Sequence, residues 1–258
     1  MSWTVSIAAI LAAQGTPSNL APSGKWAVAY EPGECLLSRS FGPSDRSLTF
    51  GVLRLPASPG GTLLLTASSG SATTRRGSGK IVVQPSGDRF TTEWATAPKT
   101  DQAGSLTRIE PATAFWDALP QATGLTFEGF GGASIELPIG KMTAALSAYG
   151  ACNDDMLRRW GADPAAMIKQ GSWISKWFTT DYYPAEALRR RATGRSVALI
   201  AIGPDGRPKG CTTVKSSGVA ELDKASCAIA SKEVRVPTSA DDRPIDRWLV
   251  MPVSWRSP

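Results

Sequence analysis

Over residues 25–87 the apolar side chains come in short runs broken by Gly, Pro and Ser clusters, a pattern that suits an antiparallel sheet far better than helices. Runs at 26–30, 47–55, 62–67 and 80–83 predict strands, and the partial alternation at 89–95 predicts another. Residues 110–119 predict a short helix carrying Phe115, Trp116 and Leu119; two more strands, 124–130 and 133–137, flank a turn at Gly131 and Gly132. The period then changes. Met142, Ala145, Leu146, Tyr149, Cys152, Met156 and Trp160 are spaced by threes and fours, so residues 141–160 predict a helix whose apolar face packs on the sheet.

The last part of the chain has a different order. Asp181, Tyr182, Tyr183 and Pro184 open a short helix, with proline suited to the first turn, and this helix runs over 185–191 until Gly194 stops it. Residues 196–202 are an apolar β-run, Gly203-Pro204-Asp205-Gly206 is a hairpin turn, and 208–216 is the returning strand. Residues 220–231 form an amphipathic helix with Leu222, Ala225, Cys227 and Ile229 inward, and 247–255 a final strand. The expected fold class is therefore α+β: a β-rich N-terminal domain with a packed helix over 25–171, then a domain over 172–258 built as helix, β-hairpin, helix, β-strand. At 42% hydrophobic and 19% charged residues, the chain has enough apolar material to bury a core for each.

Composition excludes more than it suggests. The chain has no histidine, which rules out a Ser-His-Asp or Cys-His site, a histidine proton shuttle and a histidine-ligated metal. The net charge of +6 is concentrated after residue 171, yet it is dispersed except at Arg189, Arg190 and Arg191, where cations complement a helix C-terminus. No nucleic-acid partner is expected from it. Residues 1–13, MSWTVSIAAILAA, are too short an apolar run to span a bilayer, which takes ~20 residues. They fit the hydrophobic part of a secretory signal, although the usual preceding basic residues are missing; residues 1–24 are thus a signal-like or disordered N-terminus, with no membrane span.

The segments YPAEALRRRATG from Tyr183, VALIAIGPDGRP from Val197, CTTVKSSGVAELDKASC from Cys211 and VMPVSW from Val250, in that order and spacing, resemble the C-terminal domain of the TonB family over about residues 181–256. Residues 25–171, through Trp26, Cys35, Arg39, Phe41 and the run CNDDMLRRWGADP from Cys152, resemble the region preceding this domain in exported TonB-like bacterial proteins. The resemblance implies a non-enzymatic periplasmic protein that recognises a partner, such as a segment of a TonB-dependent outer-membrane receptor, by strand addition in outer-membrane transport. The matching edge is the last strand, with Arg247, Trp248, Leu249, Val250, Met251, Val253 and Trp255 as partner-binding residues; Pro252 interrupts its row of donors. An energy transducer of the family has a histidine-containing membrane anchor followed by a long Pro-rich span. Neither is in this sequence, so a TonB-like binding fold is expected rather than energy transduction by this chain.

Three pairings of the four cysteines are possible. Cys35 with Cys152 and Cys211 with Cys227 keeps each bridge within one expected domain and suits an oxidising compartment. Metal binding is not expected, because there is no CxxC spacing and no histidine; no cofactor is implied either. Two other readings compete with receptor binding. One is an envelope protein that binds peptidoglycan or another periplasmic protein through its basic C-terminal part. The other is a histidine-independent Ser/Lys hydrolase using Ser78 with Lys80 or Ser216 with Lys215, although such pairs near glycine are ordinary loop chemistry. Asp154 and Asp155, adjacent on a helix, point apart and cannot share a proton.

Overall fold

A computed structural model describes residues 18–31, 33–68, 73–99, 104–169, 182–237 and 247–256. The expected signal at 1–13 and the domain cut near 172 lie outside these residues.

Ten strands form the first sheet: β1 (Ser18–Asn19), β2 (Ala27–Glu31), β3 (Glu34–Phe41), β4 (Leu48–Leu53), β5 (Thr62–Ala67), β6 (Arg75–Gln84), β7 (Arg89–Pro98), β8 (Ser105–Ile109), β9 (Gly124–Glu128) and β10 (Ile135–Leu137). Their order is β1-β10-β9-β6-β7-β8-β5-β4-β3-β2, antiparallel apart from β1 beside β10. The sheet curls on itself. Leu20 N donates to Glu136 O beside β10, while Gly42 N donates to Ala21 O and Ser23 N to Ser40 O beside β3, so one short segment touches both ends of the sheet. Phe50 on β4 and Phe127 on β9, far apart in strand order, meet across the interior with ring centroids 6.2 Å apart. Alternate residues supply this core: Cys35 and Leu37, Phe50 and Val52, Leu63 and Leu65, Ile81 and Val83, Leu125 and Phe127 are all buried.

Strand β3 does not stand out in the sequence because Arg39 interrupts its apolar alternation. In the structure its guanidinium donates to Gly24 O and Ile139 O and lies over the Trp26 and Phe41 rings, so the cation is held at the end of the core rather than inside it. Strand β8, SLTRI, is equally quiet: it is short and polar, and is a strand because β5 and β7 pair with it on both sides. Residues 18–23 also belong with the sheet, so the ordered β-rich part begins before residue 25.

Two helices complete this part. Helix α1 (Thr113–Ala118) buries Phe115 and Trp116. Helix α2 (Thr143–Arg159) packs across β2 and β3 through the expected face, burying Tyr149 and Met156; Leu157, outside that face, is buried in a separate cluster. Cys152 bonds Cys35 at an S–S distance of 2.07 Å and ties this helix to β3.

The second sheet has three antiparallel strands, β11 (Gly194–Ile202), β12 (Pro208–Lys215) and β13 (Arg247–Trp255), in the order β12-β11-β13. The β11–β12 turn follows the sequence: Asp205 Oδ1 accepts from Arg207 N, and Gly206 takes a φ of 73°, which a side chain would strain. Helices α3 (Ala185–Arg189) and α4 (Ala220–Glu233) cover one face over Ala198, Ile200, Ile202, Leu249, Met251, Val253 and Trp255. Cys211 and Cys227 join β12 to α4, S–S 2.01 Å. Inside this core Ser226 Oγ donates to Leu222 O and accepts from Trp255 Nε1 at 3.1 Å and from Ser196 Oγ at 2.8 Å, so no polar atom of that cluster is stranded.

Helix α4 is set at its start by Asp223, whose carboxylate accepts from Ser216 Oγ, Ser217 N and Ser217 Oγ. Partial burial pushes its pKa up, but these hydrogen bonds outweigh that effect and hold the group below its ordinary value. A depressed carboxylate contributes stability that is complete above its unfolded pKa and is lost as pH falls through the folded one. Asp223→Asn is therefore expected to lower Tm at pH 7 and to flatten the loss of Tm between about pH 5 and pH 3. Thermal melts of both proteins across that range check this, and parallel curves would refute it.

Candidate functional site

Strand β13, the expected partner-binding edge, does lie at the edge of its sheet. Its side chains do not form an open surface. Leu249, Met251, Val253 and Trp255 point under the helices and are buried. Val250 is fully buried on the other face, with Trp248 half-buried beside it, among Val197, Leu199, Leu157 and Ala162. Leu157 and Ala162 come from the end of α2 and the turn after it, so the first part of the chain covers the second face of the C-terminal sheet. A three-stranded sheet with helices on one face leaves its other apolar face uncovered unless something packs on it, and here α2 does so. Arg247 is half-buried at the start of the strand.

The edge itself has a partial occupant. Met167 pairs in parallel with Trp248, and Ile168 N donates to Trp248 O at 2.7 Å. Because main-chain groups alternate direction along a strand, the Trp248 carbonyl identifies the outward row as Trp248, Val250, Pro252 and Ser254, and the inward row as the residues bonded to β11. Pro252 thus sits where its missing N–H removes nothing from the ladder with β11, which explains how a proline is accommodated in mid-strand. Met167 packs on the α2 side of the sheet and Ile168 on the helix side. Successive side chains on opposite faces are what an added strand presents.

Above this edge the connection is anchored by Tyr149. Its hydroxyl accepts from Arg54 N at 2.6 Å and donates to Arg54 O at 3.0 Å, fastening the chain after β4 to α2. Burial pushes the phenol up to about 12, so it stays protonated and keeps both bonds. The Arg54 guanidinium, lowered from its usual value chiefly by burial, lies over the Trp116 ring and donates to Ser58 O.

The residues considered for hydrolysis are engaged separately. Lys215 pairs with Glu34 at 2.5 Å and Ser216 donates to Asp223, so the two do not act on each other. Ser78 and Lys80 stand two apart on β6 with no hydrogen bond between them among the described residues. Asp155 pairs with Arg159. Among the described residues no group of His, Cys, Asp and Glu is arranged to hold a metal, and no helix is long and apolar enough to cross a membrane.

Residues 180–257 match the family described as Gram-negative bacterial TonB protein C-terminal, and the second sheet with its helices is a domain of that family. Neither the curated proteins nor the solved structures give a significant match. The match makes this part of the chain TonB-like and associates it with envelope and transport interactions; members of that family are non-enzymatic energy-transduction proteins with protein partners such as outer-membrane receptors.

Proposed function

We propose that this protein works in the periplasm, without catalysis, by recognising an extended segment of a partner, such as a TonB-dependent outer-membrane receptor, through strand addition at the outer edge of β13. One observation carries the reading: that edge already accepts a parallel main-chain partner, Met167–Ile168, with side chains on alternate faces and Ile168 N bonded to Trp248 O. A partner strand supplies the same main-chain bonds, and it must displace the Met167–Ile168 pairing to bind at Trp248. Because the larger apolar β13 side chains are buried on the two packed faces, affinity rests on the backbone, and selection rests on residues beside the edge.

The test uses the full-length chain and a synthetic peptide copying a receptor's TonB-binding segment, followed by hydrogen exchange of the amides at 247–255. Peptide is expected to slow exchange along β13. Ile168→Pro removes the competing donor while suiting the extended backbone at Met167, so it is expected to tighten peptide binding about fivefold, the equivalent of one net hydrogen bond of about 1 kcal/mol. Unchanged exchange along β13 at millimolar peptide, in both proteins, would remove the proposal.

A further inference from the structure

We infer that the cleft between the two sheets is a binding site for a small polyanion carrying at least two phosphate or carboxylate groups. The cleft has a volume of about 700 Å³, within the range of small-molecule sites. Its charged lining is Arg54, Arg108, Arg195, Lys215 and Arg256 against Glu34 and Glu110. Two of the five cations are engaged: Lys215 with Glu34 at 2.5 Å, and Arg54 with Ser58 O and the Trp116 ring. Arg108, Arg195 and Arg256 are exposed and have no ion pair among the described residues.

The placement matters more than the count. Arg108 belongs to β8 of the first sheet; Arg195 starts β11 and Arg256 follows β13 in the second. Arg195 is directly opposite Ser254 in the β11–β13 ladder, which brings the start of one strand and the end of the other to the same rim. Like charges gathered at one rim repel one another, and an anion between them removes that repulsion while using the planar guanidinium fork for paired hydrogen bonds. Glu34 is neutralised by Lys215, so Glu110 is the one carboxylate on the lining left to oppose an anion. With arginines from both sheets on one lining, a ligand carrying two or more anionic groups can engage both at once. The inference does not rest on strand addition: the cleft uses neither Trp248 nor the Met167–Ile168 pairing, although Ser254, at the far end of the outward row, also lines it.

Isothermal titration of the full-length protein with pyrophosphate and with citrate, at low and moderate salt, tests it. Vesicles of phosphatidylcholine with cardiolipin, whose headgroup carries two phosphates, form a parallel arm, distinguishing a soluble anion from a lipid headgroup. Expected is saturable one-to-one binding that weakens with salt, falls more than tenfold in Arg108→Gln/Arg195→Gln/Arg256→Gln, and is retained in Arg46→Gln/Arg76→Gln/Arg158→Gln, which removes the same charge elsewhere. The single variant Arg108→Gln, read the same way, serves if the triple variant misfolds, and is expected to weaken binding several-fold. Binding of vesicles alone keeps the site and assigns its anion to a headgroup. No saturable binding of any probe at millimolar concentration, or equal loss in both triple variants, overturns the inference.

Discussion

Replacing Cys35 and Cys152 together by serine is expected to destabilise the β-rich part by about 4–5 kcal/mol, because their bond closes a long loop in the unfolded chain. The two residues are 117 apart in sequence. At roughly 2–4 °C per kcal/mol for a unit of this size, Tm should fall by about 10–15 °C. The effect is not confined to the bridge, since Cys152 holds α2 on β3 and the end of α2 supplies Leu157 to the face of the second sheet. Serine at Cys211 and Cys227 opens a loop of 16 residues, and is expected to cost less, about 3 kcal/mol. Urea unfolding of both double variants, with peptide mapping under non-reducing conditions, checks the order. A loss under about 1 kcal/mol for the first pair would mean that the bond does little for the folded state.

The second large effect is expected from Val250→Asp. Val250 is fully buried on the face of the C-terminal sheet turned toward α2, among Leu157, Ala162, Val197 and Leu199. A carboxylate placed among these apolar side chains loses its water, and an uncompensated buried charge costs about 3–5 kcal/mol. The same substitution on a sheet face open to water changes stability little. The variant therefore tells whether the first part of the chain covers this face in solution. Expected are a fall in urea midpoint and faster proteolysis of the full chain, read beside Val250→Ala, which removes volume without adding charge and should cost less. Equal, small losses for both variants would show that the face is exposed.

Local pattern was enough for the elements with strong periods. The threes and fours from Met142 to Trp160 became α2 over Thr143–Arg159, and Gly203 to Gly206 became the turn between β11 and β12, because helix period and turn chemistry are properties of neighbouring residues. Strands β3 and β8 were not legible for the opposite reason. Arg39 breaks the alternation in one and the other is short and polar, so each exists through the strands that flank it. The outer edge of β13 was legible as a strand, but its availability was not: the pairing of Ile168 with Trp248 joins residues 80 apart, and no local pattern encodes it. The arginines of the cleft are likewise scattered over residues 54–256, and nothing in their spacing announces that they share a wall.

The missing histidine, the segment order shared with the TonB C-terminal family and the alternating apolar runs were set by the sequence alone, since each depends on residue identity and near-neighbour spacing. Tertiary structure decided which faces are covered and which groups meet. It put α2 on the second sheet, placed Met167–Ile168 on the strand edge, and gathered Arg108, Arg195 and Arg256 at one cleft. Burial and charge proximity are set by distances in space between residues remote in the chain, and those distances exist only once both sheets have formed and packed.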